Sequence, residues 1–237
     1  MNPEVHTALP TPGSLCQPGA PASLHREISG RPVAVLLRTA IILVLSSAIY
    51  GFSFGFWRDP FQAVFAAYKM PVMFLGIVAI TELGNTMIAQ LLGVEITGRQ
   101  TLQATLVSFA VTSVLLASLA PVAMFLAVTL PAPDQDRCCA TYFLLLVLHT
   151  CAVAIAGFIG SLRLWHLLKG IAGSFRKAVL TMICWTGLNG LVGSEISWIC
   201  SPFLARPDRE IVFINPNAFR MNMYEYLWKM LNGEDVQ

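Results

Sequence analysis

Apolar residues along this chain fall into five long runs that are separated by short polar segments. The runs cover residues 33–56, 70–93, 101–130, 140–164 and 178–200. At about 1.5 Å per helical residue, each run is long enough to cross a hydrocarbon core of about 30 Å. The pattern therefore predicts an all-α polytopic membrane protein with five transmembrane helices. The third run is long enough to tilt or to kink at Pro121.

Two short amphipathic helices, residues 60–69 and 223–231, are predicted to lie at the membrane surface. Asp59 followed by Pro60 is typical of a helix start, and Pro71 is expected to end this first short helix before span two begins. Aromatic side chains of the two helices, with one at the end of span four, are the expected interfacial anchors. These are Phe61, Phe65, Tyr68, Trp165, Tyr224 and Trp228.

The two ends of the chain differ in composition from the membrane domain of residues 31–203. Residues 1–30 are rich in Pro, Gly, Ala and Ser, which predicts a disordered tail, and residues 204–237 form the second tail. Five spans put the tails on opposite sides, and the short segments on the N-terminal side hold most of the Arg and Lys. The positive-inside rule then predicts a cytoplasmic N-terminus and an extracytoplasmic C-terminal tail. The expected location is a cell inner membrane.

Composition agrees with a membrane protein and excludes several other classes. The 237 residues are 56% hydrophobic and 12% charged, which is far from the average of soluble domains. A net charge of +2 without a long basic run gives no indication of nucleic-acid binding. The sequence has no phosphate-binding glycine loop and no H-E-x-x-H motif, so no cofactor or metal site is expected.

Glu82 and His149 are the most distinctive polar residues within the spans. Counted inward from the outer ends of spans two and four, they lie about 18 and 14 Å deep, so they are expected to face protein at similar depth. The two groups fix helix register, either as a hydrogen-bonded pair or as two separately satisfied groups, or they relay protons or cations. The complete candidate intramembrane polar site comprises Glu82, Asn85, Thr86, His149, Asn189 and Glu195.

Small residues follow helical spacing on spans four and five and predict close helix packing. Glu195 falls on the other side of span five, near its outer end, where it is expected to reach the interface or the C-terminal tail, with lining of a substrate cavity as the alternative. The two predicted packing seams are Ala152, Ala156 and Gly160 on span four, and Thr186, Gly190, Gly193 and Ser197 on span five.

Two further motifs have a structural and a chemical interpretation. Residues 51–55, GFSFG, match the G-x-S-x-G pattern of a nucleophile elbow, but they lie in a membrane helix, which favours packing roles for Gly51, Ser53 and Gly55. Outside the cell, Cys200 would be free to form a disulfide with Cys138 or Cys139, and free thiols are the alternative.

Short motifs from residue 61 onward resemble the Yip (Ypt-interacting protein) superfamily in its bacterial form. They are FQAVFAAYKMP at 61–71, LLG at 91–93 followed by RQ at 99–100, LASLAP at 116–121 and WICSPF at 198–203. The resemblance implies five spans with a cytoplasmic N-terminus. It implies no reaction and no catalytic residues.

Taken together, the pattern predicts a non-enzymatic integral membrane protein that acts as a scaffold or assembly partner. Its expected partners are the lipid bilayer and other membrane proteins or further copies of the chain. The alternative is a small transporter or an ion- or proton-conducting subunit that uses Glu82 and His149.

Overall fold

The structure is a computed structural model that describes residues 32–133, 138–208, 210–214, 218 and 220–232. All regular secondary structure in these residues is helical, and the five-span, all-α prediction is confirmed by five helices long and apolar enough to cross a membrane. The predicted tail at 1–30 lies outside the described residues. The helices are α1 (Pro32–Gly55), α2 (Pro60–Leu91), α3 (Gly98–Ser118), α4 (Ala120–Thr129), α5 (Cys138–Ile171), α6 (Phe175–Cys200) and α7 (Met223–Leu231).

Helix α2 differs from the prediction, because residues 60–69 are its first turns and not a separate interfacial helix. Asp59 caps the helix by accepting a hydrogen bond from the Phe61 amide at 2.7 Å, as expected. Pro71, however, lies inside a continuous 32-residue helix. Ala63 and Ala66 are fully buried, so these turns are held against protein. A proline is tolerated inside a membrane helix when the surrounding structure compensates for the lost hydrogen bond.

The predicted third span is divided at Leu119 into α3 and α4. Pro121 lies in the first turn of α4, where its missing amide hydrogen has no helical partner to lose. The chain thus breaks two residues before the proline, close to the predicted kink. At 21 residues α3 is long enough to cross the membrane, whereas the 10 residues of α4 are not.

The bundle is arranged around α3, which packs against α1, α2 and α5. Helix α6 packs on α2, and α4 packs on α1. Helices α5 and α6 leave much of their apolar surface exposed. The central core lies among α1, α2, α3 and α5, with Leu43, Met70, Val107 and Ala156 among its buried members.

Candidate functional site

The GFSFG motif is a packing feature of the α1–α2 hairpin, as predicted. A Cβ added to Gly51 would lie 2.9 Å from the backbone carbon of Ala66, and one on Gly55 would lie 2.8 Å from the carbonyl oxygen of Gln62. The hydroxyl of Ser53 donates to the carbonyl of Ile49 at 3.0 Å. The glycines therefore allow the two backbones to approach closely, and the serine hydroxyl is used within its own helix.

Glu82 lies half-buried on α2, on the side that faces the start of α3. The Thr86 hydroxyl donates to its Oε1 at 3.2 Å, and Gly98 of α3 lies against the same Thr86 side chain. The second oxygen, Oε2, is buried and has no hydrogen-bond partner among the described residues. The carboxyl group is thus sheltered by protein, with Thr86 bound to one oxygen and the backbone of Leu102 in α3 close to the group.

His149 lies on the other side of the bundle, where α5 meets α1. Its Nδ1 is hydrogen-bonded to the Tyr50 hydroxyl at 3.1 Å, and its ring stacks on Phe54 with centroids 4.1 Å apart. Glu82 and His149 are therefore bound to separate partners, which is one of the two structural alternatives expected for them, and they do not form a pair. The two groups were placed at similar depth, but the Glu82 side chain faces α3 and the His149 side chain faces α1.

Asn85 and Asn189 form the polar contact that joins α2 to α6. The Asn85 amide donates to Asn189 Oδ1 at 3.2 Å and to the Thr81 hydroxyl at 3.4 Å. The indole of Trp185 donates to the backbone carbonyl of Asn85 at 2.7 Å. Asn85 and Trp185 are fully buried, so this cluster sets the register of the two helices. Sequence reasoning missed the part played by Trp185.

The small-residue seam of span four packs as predicted, and its partner is α3. Ser108 donates to the carbonyl of Gly160 at 2.7 Å, and Thr112 donates to that of Ala156 at 3.4 Å. Ala156 is almost fully buried, and Ala152 packs against the central core. A Cβ at Gly160 would lie 2.7 Å from the Ser108 carbonyl oxygen, so the two helices are in close contact here.

The seam of span five packs only at its outer part. Gly193 lies against Ile77 of α2. A Cβ added to Gly193 would lie 3.2 Å from Ile77 Cδ1. Thr186 and Gly190 are exposed, and a Cβ at Gly190 or at neighbouring Gly187 would meet nothing within 4 Å. These residues therefore have no packing partner among the described residues, because α6 turns this face away from α2.

Glu195 contacts the C-terminal tail, which confirms one of the two roles expected for it. Its Oε2 accepts a hydrogen bond from the Met223 amide at 3.0 Å, at the first turn of α7. A carboxylate in this position satisfies a free amide and complements the helix dipole. The Tyr224 hydroxyl donates to the Leu191 carbonyl at 2.8 Å, so α7 is held against the outer end of α6.

The remaining predicted anchors separate into two groups. Phe61, Tyr68 and Trp228 are 74%, 64% and 66% exposed, which suits contact with a bilayer. Phe65 instead packs edge-on against Phe213 of the tail at 5.1 Å, and Trp165 packs edge-on against Phe175 at 5.8 Å.

Lys69 binds the C-terminal tail, a role that the sequence did not indicate. Its side chain is almost fully buried, and the ammonium group donates to the carbonyls of Pro202 at 2.8 Å and Val212 at 3.4 Å. It also lies 5.3 Å from the centre of the Phe213 ring. Gln62, about two turns earlier in α2, donates to the carbonyls of Pro202 and Phe203. Both side chains hold the residues that lead into the tail, and Lys69 also holds the tail itself through Val212.

Cys138, Cys139 and Cys200 are free thiols in the structure, so the disulfide considered for Cys200 is not formed. The sulfurs of Cys138 and Cys139 are 4.0 Å apart, about twice the length of a disulfide bond. Cys200 lies at the end of α6 near the Lys69 ammonium group. Within the described residues, no group of three or more His, Cys, Asp and Glu side chains is arranged to hold a metal.

A cavity of about 990 Å³ lies beneath the tail, between the outer halves of α5 and α6. Phe54, Met70 and Met73 of α1 and α2 form its back wall, and residues 201–206, 210 and 212 cover its outer end. His149 borders this cavity and also a smaller one of about 290 Å³ between α1, α4 and α5. Of the predicted polar residues, only His149 lines the large cavity, together with Ser197 of the predicted seam.

This architecture defines the class of the protein: it is a multi-pass α-helical membrane protein whose described C-terminal residues pack against the helix bundle. No family model, no curated protein and no solved structure matches the chain.

Proposed function

We propose that this protein is a non-enzymatic scaffold or assembly partner of a bacterial inner membrane. One observation carries the proposal: α6 turns a glycine-containing face away from its own bundle. Thr186, Gly187 and Gly190 lie on this face, and no atom of the described chain comes within 4 Å of an added Cβ at either glycine. Small residues on a membrane helix allow a second helix to approach closely, and dispersion contacts and hydrogen bonds then stabilise the pair.

The alternative, a transporter or ion-conducting subunit, has less support. It was based on Glu82 and His149 acting together, and these groups contact different helices. The Ser53 hydroxyl, the candidate nucleophile of an enzyme, is bound to the Ile49 carbonyl. A bacterial Yip-like relationship, an inner-membrane location and a cytoplasmic N-terminus belong to the same proposal. They are supported by the five long apolar helices and by the Arg and Lys residues of the sequence.

Larger side chains on the exposed face of α6 that holds Thr186, Gly187 and Gly190 test whether a partner helix packs there. The double replacement Gly187→Leu and Gly190→Leu puts two branched side chains where a partner helix would pack. The measurement is the mass of the protein's complex in mild detergent, by light scattering after chromatography, together with photobleaching steps in liposomes. We expect the wild-type chain to form a complex and the variant to dissociate.

Leu83→Phe is the matched control, because Leu83 is 77% exposed on α2 and lies away from the α6 face. This variant is expected to keep the wild-type complex. A wild-type chain that is monomeric and free of partners at all concentrations would contradict the proposal. Equal association of the double variant and the wild type would assign the contact to another surface.

A further inference from the structure

The large cavity beneath the tail is lined mostly by apolar side chains, and its charged lining residues all belong to the tail. Met70, Met73 and Val153 line its inner part. Arg206, Glu210 and Tyr226 line it where the tail covers the outer end. A volume of about 990 Å³ is at the upper end of the ~300–1,000 Å³ usual for small-molecule sites. The distribution of polarity matches a molecule with a long apolar part and a polar head.

The cavity opens sideways along α5. Leu146, Thr150 and Ala154 all line it, and all three are exposed and spaced at four residues on one helix face. The residues of α5 that line the cavity run from Tyr142 to Ala154, which is about 18 Å along the helix at about 1.5 Å per residue. A groove of this length on a membrane-spanning helix faces acyl chains. A lipid can therefore enter it from the bilayer without passing through water.

Charges of both signs lie at the outer end of the cavity. Arg206 pairs with Asp208 through its Nε at 3.1 Å, which leaves its terminal NH₂ groups for a phosphate. Glu210 lines the same end and can accept hydrogen bonds from an ammonium group. This combination suits a headgroup with one anionic and one cationic part better than a purely anionic headgroup.

We propose that the cavity binds one zwitterionic phospholipid of the phosphatidylethanolamine class. The phosphate lies near Arg206, the ammonium near Glu210, and one acyl chain extends inward between α5 and α6 past His149. The binding is reversible and involves no covalent step. Because the C-terminal tail supplies both charged groups, the attachment of the tail to α2 through Lys69 also forms the lipid site.

The test is native mass spectrometry of the full chain extracted from nanodiscs with equal amounts of phosphatidylethanolamine and phosphatidylglycerol. We expect one phosphatidylethanolamine per chain to remain bound. Ala154→Trp fills the cavity and is expected to remove this lipid, and Leu146→Trp is a second cavity-filling variant. Phe158→Trp is the control, because Phe158 is 65% exposed on the same helix and does not line the cavity. Matching thermal unfolding midpoints confirm that the variants are folded.

Two further variants test which lipid headgroup the cavity binds. Arg206→Gln and Glu210→Gln are each expected to lower the affinity for phosphatidylethanolamine about tenfold, because each removes a charge-assisted hydrogen bond. The proposal would be overturned if the wild type, Ala154→Trp, Leu146→Trp and Phe158→Trp retain equal amounts of lipid. The retained lipid would then come from the surrounding bilayer and not from the cavity. Retention of phosphatidylglycerol in preference, or of a peptide in place of lipid, would overturn the proposal as well.

Discussion

At the scale of single residues, Gly160 sets the distance between α3 and α5. The Ser108 carbonyl oxygen lies 2.7 Å from the position of an added Cβ, and a backbone oxygen cannot rotate away. We expect Gly160→Ala to lower the free energy of unfolding by about 1–3 kcal/mol through overpacking. Thermal or denaturant unfolding of the purified protein in detergent measures the change.

Gly157 on the same helix provides the control for this prediction. Nothing lies within 4 Å of an added Cβ there, so Gly157→Ala is expected to stabilise the helix by about 0.5–1 kcal/mol. Equal effects of the two substitutions would mean that α3 and α5 are not in close contact at Gly160.

Glu82 is a carboxyl group that is sheltered but incompletely paired. Thr86 donates to one oxygen, and the other is buried without a hydrogen-bond partner among the described residues. Glu82→Gln keeps the shape and removes the charge, so we expect the free energy of unfolding to rise, by up to about 3 kcal/mol. A lower unfolding midpoint of the variant in the same detergent would contradict this expectation, since it would mean that the native carboxyl group is well satisfied by its neighbours.

Several residue-scale features were predictable because they depend only on local spacing. Gly160 and Ala156 were identified as packing residues from their helical spacing, and Glu195 was placed near the tail from its position on α6. Whether Glu82 contacts His149 was not predictable, because two residues at equal depth can face different directions around their helix axes. Direction depends on which helices are neighbours, and that is a property of the tertiary structure.

At the scale of elements, the C-terminal segment depends on α2 for its position. Lys69→Met keeps most of the side-chain length but leaves the carbonyls of Pro202 and Val212 without this donor. We expect the segment to open more often, because the Val212 carbonyl loses this donor and the Pro202 carbonyl keeps only Gln62. Hydrogen exchange and limited proteolysis of residues 202–213 measure the change, with at least about a tenfold rise in rate expected for a loss near 1.4 kcal/mol.

Lys229→Met is the control for the tail. Lys229 forms an exposed ion pair with Glu225 at 3.2 Å, and such helix pairs contribute only about 0.3–0.5 kcal/mol. Its replacement is expected to leave exchange of residues 202–213 unchanged. If Lys69→Met also leaves the exchange unchanged, the tail is held by other contacts.

Helix α7 is the amphipathic element that keeps an exposed aromatic face. Trp228 is 66% exposed, whereas Phe65, once expected to have the same role, packs on Phe213. We therefore expect Trp228→Glu to weaken contact of α7 with a bilayer, which increases cleavage of this helix by protease in liposomes. Unchanged protection would indicate that Trp228 does not contact lipid.

Two prolines show why element boundaries were only partly predictable. Pro121 lies in the first turn of α4 after a break in the chain, whereas Pro71 lies inside a continuous helix. Local preference is the same for both, since proline disfavours helix at the preceding residue. Packing decides between them: Ala66, Lys69 and Met70 are buried around the Pro71 turn and hold it helical.

At the scale of the whole molecule, the number of spans was predictable and their arrangement was not. Five apolar runs are visible in the sequence because length and hydropathy are local quantities. The position of α3 between α1, α2 and α5, and the cavity between α5 and α6, result from contacts between distant segments. The hydrophobic pattern of a single helix gives no information about such contacts.

The most direct test of the account is the side of the membrane on which each connecting segment lies. Single cysteines replace Glu95, Ala132, Ser174 and Asp208, one at a time, in a chain without other cysteines, and are labelled in cells with an impermeant thiol reagent. Five crossings predict that positions 132 and 208 share one side and that positions 95 and 174 share the other. Labelling of positions 95 and 132 from the same side would contradict the five-span account.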